Sequence, residues 1–122
     1  MPESQFKNRR ILVVDDEERM VRFIRLNLEH DGFQVLEAFK GAQAIDRLRT
    51  GLPDLILLDV MLPDMNGLDL LRSIPSKTKK IVITGTQREE GMRRATSEGA
   101  DVYLLKPVKP EKLLQLISLD CP

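Results

Sequence analysis

Leu55-Ile56-Leu57-Leu58-Asp59 is an unbroken apolar run that ends abruptly in a carboxylate. Val60-Met61-Leu62-Pro63-Asp64-Met65-Asn66-Gly67 follows it, and Pro53 stands just before it. A continuous apolar run this short, bounded by proline and glycine, reads as a strand buried on both faces. Asp59 then stands where a central strand stops and the chain turns outward. In open parallel sheets, ligands bind just beyond the carboxyl ends of the strands. Aspartate also opens ordinary turns, so the meaning of Asp59 depends on what other strands deliver to the same edge.

Upstream, Ile11-Leu12-Val13-Val14 is a second buried run, and it ends in Asp15-Asp16-Glu17-Glu18. Val21, Ile24 and Leu28 then recur at i, i+3 and i+7 with charged residues between them, predicting an amphipathic helix that Asp31-Gly32 stops. Residues 33–37 form a weaker strand, as expected near a sheet edge. A helix over 41–50 is predicted to turn Ala44, Ile45 and Leu48 inward and to end at Gly51. Downstream, a third helix over 68–74 is cut off by Pro75, and Ile81-Val82-Ile83 ends in Thr84-Gly85-Thr86. The helix expected over 88–98 has little apolar surface beyond Met92 and Ala95, with Gly91 inside it. Val102-Tyr103-Leu104-Leu105 ends in Lys106-Pro107, and a last helix over 111–118 turns Leu113, Leu116 and Ile117 inward. Five strands alternating with five helical patterns predict an α/β fold, a doubly wound parallel sheet with helices on both faces. The expected boundaries are a leader over 1–9, one domain over 10–119 and a tail over 120–122.

Composition narrows the function. The 122 residues carry 19 basic and 19 acidic side chains, which argues against a broad basic surface for nucleic acid. No apolar run approaches a membrane span, and residues 1–10 lack the apolar core of a secretory signal. Cys121 has no second cysteine to pair with and lies at a terminus expected to fray, so it is read as neither bridge nor nucleophile. A reduced, cytoplasmic location is expected. His30, the sole histidine, ends a helix, which excludes histidine triads and histidine-based zinc sites.

Four strand ends carry chemistry to one edge: Asp15 and Asp16, Asp59, Thr84, and Lys106. Each has a plain reading alone. The acidic pair could cap a helix, Thr84-Gly85 could be a turn, Lys106 a solvated lysine and Tyr103 a core aromatic. Together they make three carboxylates, one hydroxyl and one ammonium around a common mouth. Crowded carboxylates either take up protons or bind a cation. Oxygen ligands in an open site favour Mg²⁺. The set suits phosphoryl transfer: one carboxylate attacks, cations neutralise the phosphoryl oxygens, Thr84 donates a hydrogen bond, and Gly85 leaves space.

With these residues in place, the chain resembles the response-regulator receiver domains of two-component signalling over residues 10–118. The resemblance rests on Asp15-Asp16, Leu57-Leu58-Asp59-Val60-Met61-Leu62-Pro63-Asp64-Met65-Asn66-Gly67, Thr84-Gly85 and Lys106-Pro107. It implies a (βα)₅ fold with strand order 2-1-3-4-5. Asp59 would accept a phosphoryl group from a phosphohistidine on a sensor histidine kinase or histidine phosphotransfer protein. Asp16 would bind Mg²⁺ directly and Asp15 mainly through water, with Asp59 and the backbone carbonyl of Met61 completing the protein's share. Thr84 and Tyr103 would be a switch pair, Lys106 would pair with the acceptor or its phosphoryl group, and the Lys106–Pro107 peptide would be cis. Met61 and Thr86 would border the path of the hydrolytic water. The helix over 88–98, the Tyr103 strand and the last helix would form the output surface. Val108 departs from the aromatic common at its position.

Three rivals are weighed against this. A haloacid-dehalogenase phosphatase needs a second acid two residues after its nucleophile, where this chain has Met61. A flavodoxin-like module needs a phosphate-holding loop after the first strand, where the acidic run would repel it. A receiver-fold docking module that is never phosphorylated is the remaining alternative. Kinase, output, oligomeric state, and whether the domain acts alone or within a larger regulator are not written in these residues.

Overall fold

A computed structural model of the chain describes residues 9–85 and 89–120. Five strands, β1 (Arg10–Val14), β2 (Gln34–Ala38), β3 (Leu55–Asp59), β4 (Lys79–Thr84) and β5 (Val102–Leu105), form one sheet in the order β2-β1-β3-β4-β5. Every pairing is parallel. The expected topology is therefore the observed one. Four α-helices are present among the described residues: α1 (Glu18–His30), α2 (Gly41–Gly51), α3 (Glu89–Ser97) and α4 (Pro110–Asp120). The order reverses between β1 and β3, which is where ligands bind in such sheets.

The period of two along the strands divides the core between the two faces. Ile11, Val13, Leu55, Leu57, Ile81 and Ile83 meet Val21, Ile24 and Leu28 of α1 and Leu113 and Ile117 of α4. Leu12, Val14, Ile56, Leu58 and Val82 face Ala44 and Leu48 of α2, Ala95 of α3, and Leu68, Leu70 and Leu71. All five residues of β3 are buried, as a central strand requires. Each fully buried leucine or isoleucine removes enough apolar surface to contribute about 2 kcal/mol.

Four expectations change. The third helix is a 3₁₀ helix, Gly67–Ser73, because Asn66 caps one end, Pro75 follows the other, and the tight turn lets Leu68, Leu70 and Leu71 all reach the core. Ile45 does not face inward; it is 44% exposed, since Gly41, Ala44 and Leu48 already fill the buried stripe of α2. α2 runs through Gly51 and ends at Leu52 in the left-handed region (φ 45°), and a Cβ on Gly51 would have to displace the Leu36 Cδ1 methyl, 2.3 Å away. Leu116 is only partly buried, leaving Leu113 and Ile117 as the inner stripe of α4. No helix among the described residues is long and apolar enough to cross a membrane. Thr86, Cys121 and residues 1–8 of the expected leader lie outside the described residues.

Candidate functional site

β1 and β3 are neighbours in register, with Val14 opposite Leu58, so Asp15 and Asp59 leave the sheet side by side. Both are buried, at 2% and 4% exposure. Asp16 is exposed. One carboxylate oxygen from each of Asp15, Asp16 and Asp59 lies within 4.8 Å of the others. β4 ends at buried Thr84, whose carbonyl accepts a hydrogen bond from the Lys106 N–H at 2.7 Å. That bond brings the end of β5 to the same edge. Lys106 Nζ lies 3.0 Å from Asp15 Oδ2, 3.5 Å from Asp59 Oδ2 and 3.6 Å from Glu17 Oε1. The Lys106–Pro107 peptide is cis.

The electrostatics follow from crowding. Burial, then repulsion from Asp15, pushes the Asp59 carboxyl up to about 6, with Lys106 and the Met61 N–H only partly offsetting them. Burial also raises Asp15, against the Glu17 N–H bonded to its Oδ1 at 3.0 Å and against Lys106. Burial works to lower Lys106, but close contact with the Asp15 carboxylate and the charges of Asp15, Asp59 and Glu17 outweigh it and the ammonium is held above its ordinary range. The contact with Asp15 Oδ2 is an ion pair without well-aligned hydrogen-bond geometry, so this buried oxygen keeps accepting capacity. Three converging carboxylates, two of them buried and raised, one with an unfilled oxygen, are a donor set that fits a hard divalent cation.

The loop after β3 is shaped tightly against Asp59. The Gly67 N–H donates to the Val60 carbonyl at 2.6 Å, and Met61 bridges to Asn66. A Cβ on Gly67 would stand 2.2 Å from the Asp59 carbonyl oxygen, so only glycine fits this approach. The Met61 side chain is 69% exposed. Gly85 has open space where a side chain would be.

Beside the carboxylates, a cleft of about 410 Å³ runs between β4, α3 and the loop after β3, lined by Met61, Thr84, Gly91, Arg94 and Tyr103 among others. Tyr103 is half-buried, packs against the α2–α3 side of the core, and aims its hydroxyl at Gly91, where a Cβ would approach to 3.1 Å. Thr84 and Tyr103 thus line one cavity. Of the α3 residues only Ala95 is buried.

Asp15, Asp16, Asp59, Thr84 and Lys106 accordingly meet at one edge, and Gly85 and Tyr103 adjoin it. Sequence reasoning passed over three residues. Glu17 was read only as part of a repelling run, although two residues beyond Asp15 is the spacing that returns it to Lys106. Gly67 reads from sequence as a strand-end signal, and Asp64 only as a member of the segment that carries the family resemblance. Asp64 spans to α2, accepting the Gly41 and Ala42 N–H groups at 2.7 and 3.0 Å; no local pattern in the sequence announces that contact.

Comparison with known proteins gives the family. The family model described as "Response regulator receiver domain" matches residues 11–118. The response regulator ArlR of Staphylococcus saprophyticus is 38% identical over 110 residues, covering 88% of this chain and 50% of the relative. The alkaline phosphatase synthesis transcriptional regulatory protein PhoP of Bacillus subtilis is 36% identical over 109 residues, covering 87% and 45%. The chain therefore spans about half the length of the curated relatives it matches. A CheY-like response regulator receiver domain protein from Methanospirillum hungatei superposes with a TM-score of 0.90 at 33% identity, over 94% of each chain. The chain belongs to the family of response regulator receiver domains, signalling modules of two-component systems.

Proposed function

We propose that this chain is a phosphoacceptor in which Asp59 takes a phosphoryl group from a phosphohistidine on a sensor histidine kinase or histidine phosphotransfer protein. The observation that carries the reading is the grouping of Asp59 with Asp15, Asp16 and Lys106 at the ends of β1, β3 and β5. An Asp59 carboxylate oxygen forms the new P–O bond as the P–N bond to the donor imidazole breaks. The electron pair of that bond stays on the imidazole nitrogen, which takes a proton from solvent. Asp59 enters the reaction as the carboxylate, which Lys106 and a bound cation favour against burial and the charge of Asp15.

Asp16, Asp59 and the Met61 carbonyl would hold Mg²⁺, with Asp15 acting mainly through water. When bound, the ion neutralises charge on the phosphoryl oxygens and favours the ionised form of Asp59. Lys106 neutralises one phosphoryl oxygen, Thr84 donates a hydrogen bond to another, and Gly85 leaves them room. Phosphorylation adds charge and strong acceptors at a buried edge. Thr84 moves toward the new group and Tyr103 turns further into the cleft behind it. With one buried residue, α3 is the element most easily displaced, so α3, β5 and α4 form the output surface. Met61 and Thr86 border the path of the hydrolytic water and set the lifetime of the acyl phosphate. Residues 10–119 act as one unit, in the cytoplasm, without binding nucleic acid themselves.

Intact-protein mass after incubation with acetyl phosphate, with and without Mg²⁺, tests this on the wild type and Asp59→Ala. One added phosphoryl mass that needs Mg²⁺ and vanishes in the variant is expected. No adduct, together with no beryllofluoride complex by NMR, would leave the docking module as the better account.

A further inference from the structure

We propose that Asp64 is a positioning residue for the divalent-cation site: it docks the tip of the loop over residues 61–66 onto α2 and so fixes the backbone that follows Asp59. The inference rests on the reading above that this edge takes Mg²⁺. Lys40, at the N-cap of α2, makes no side-chain cap. The cap comes from across the fold, with Gly41 N–H donating to Asp64 Oδ1 at 2.7 Å and Ala42 N–H donating to Oδ2 at 3.0 Å. One carboxylate thus satisfies two of the unpaired donors of the helix and sits at the positive end of its dipole. Those two N–H bonds, before any other influence, hold the Asp64 carboxyl below its ordinary range, so it is charged wherever the cation site is.

The loop is closed at its neck and pinned at its tip. At the neck, Met61 bridges to Asn66 and Gly67 N–H bonds the Val60 carbonyl. At the tip, Met65 lies so close over Gly41 that a Cβ there would come within 2.1 Å of its Sδ. Burial holds the loop only in part: Leu62 and Met65 pack on the core, while Met61, Pro63 and Asp64 are exposed. The two bonds of Asp64 are therefore the directional tie of the tip to a rigid element, beside the packing of Met65 over Gly41. The Met61 N–H, 3.4 Å from Asp59 Oδ1, and the Met61 carbonyl are carried by the same short loop. Asp64 does not reach the carboxylate cluster, so its influence passes through backbone.

The test is a Mg²⁺ titration followed through the ¹H–¹⁵N signals of Asp59, Val60 and Met61, in wild type, Asp64→Ala, Asp64→Asn and Gln43→Ala. Gln43 accepts the Phe39 N–H at 2.8 Å at the same end of α2 without touching the loop, so Gln43→Ala loosens that region alone. Asp64→Ala should weaken Mg²⁺ binding about tenfold, the scale for groups acting behind a metal's ligands. It should also shift the Val60 and Met61 signals before any Mg²⁺ is added. Asp64→Asn keeps one acceptor and should fall between, while Gln43→Ala should stay near wild type. Wild-type affinity in Asp64→Ala, or an equal loss in Gln43→Ala, overturns the role of Asp64 and leaves the cation site standing. A wild type that ignores Mg²⁺ removes the cation site, and this role with it.

Discussion

Lys106 Nζ lies 3.0 Å from Asp15 Oδ2 but 3.5 Å from Asp59 Oδ2, so the ammonium leans toward the carboxylate that is not the proposed acceptor. Sharing of this kind leaves Asp59 under-compensated, which is one reason burial and Asp15 prevail there. Lys106→Ala should therefore push the Asp59 carboxyl further above its present value of about 6. Carboxyl ¹³C titration of the Mg²⁺-free protein reads this directly. An unchanged titration would mean that Lys106 serves Asp15 alone.

The same raised carboxyl makes stability depend on pH, with a definite sign. Between the ordinary 3.8 and about 6, the folded chain holds more protons on Asp59 than the unfolded chain does. Stability must then fall as pH rises through that window, and above it the full cost is present. Asp59→Asn should be more stable than wild type at neutral pH without Mg²⁺, by on the order of 2 kcal/mol. Below about pH 4 the difference should shrink toward zero. Urea unfolding at both ends of the window decides it; a variant less stable than wild type at neutral pH would contradict the crowding argument. Added Mg²⁺ should narrow the gap, because it stabilises the ionised wild type only.

Helix α3 is held by charge more than by apolar contact. Only Ala95 is buried, whereas the Glu98 side chain, 10% exposed, receives Arg72 at 2.7 Å and Arg94 at 3.1 Å. Arg94 also pairs with Asp69, so both arginines tie α3 to the 3₁₀ helix. Glu98→Ala removes the carboxylate that both arginines share and leaves Arg94 with Asp69. Amide exchange over residues 89–97 should accelerate about tenfold while β3 amides stay protected, which marks a local opening. Raising salt should move wild type partway toward the variant, since the arginines are solvent-accessible. Equal exchange in the two proteins would mean that Ala95 and the Tyr103 contact suffice.

What the sequence made legible follows from how far each signal reaches. The buried runs of β1, β3 and β4 are local and unambiguous, and parallel topology alone then brings Asp15, Asp59, Thr84 and Lys106 to one edge. Ile45 misled because the helical period does not say which of two adjacent apolar residues takes the inner stripe. The 3₁₀ form of Gly67–Ser73 depends on a cap at Asn66 and three leucines that share one core, which no period reveals. Asp64 and Glu98 act across 22 or more residues, so only the folded chain brings their partners to them, and Lys80 turns inward against type.

Lys80 provides the sharpest case, because a lysine at the start of a strand reads as solvated, yet it is 5% exposed. Its Nζ donates to the Thr78 carbonyl at 2.8 Å and to the Pro75 carbonyl at 3.1 Å. It thereby closes the turn that leads from the 3₁₀ helix into β4. Lys80→Ala would take the ammonium from both carbonyls, leaving Pro75 with the Thr78 N–H at 3.0 Å, and should cost on the order of 2–3 kcal/mol by urea unfolding. Burial lowers the Lys80 ammonium below its ordinary 10.5, partly countered by Asp101. Between that lowered value and 10.5 the unfolded chain holds the extra proton, so wild-type stability should gain on the variant as pH climbs toward 10.5. A gap that is constant with pH would show the ammonium to be better solvated than its burial implies. A variant as stable as wild type would mean that water serves the Thr78 carbonyl as well as the ammonium does.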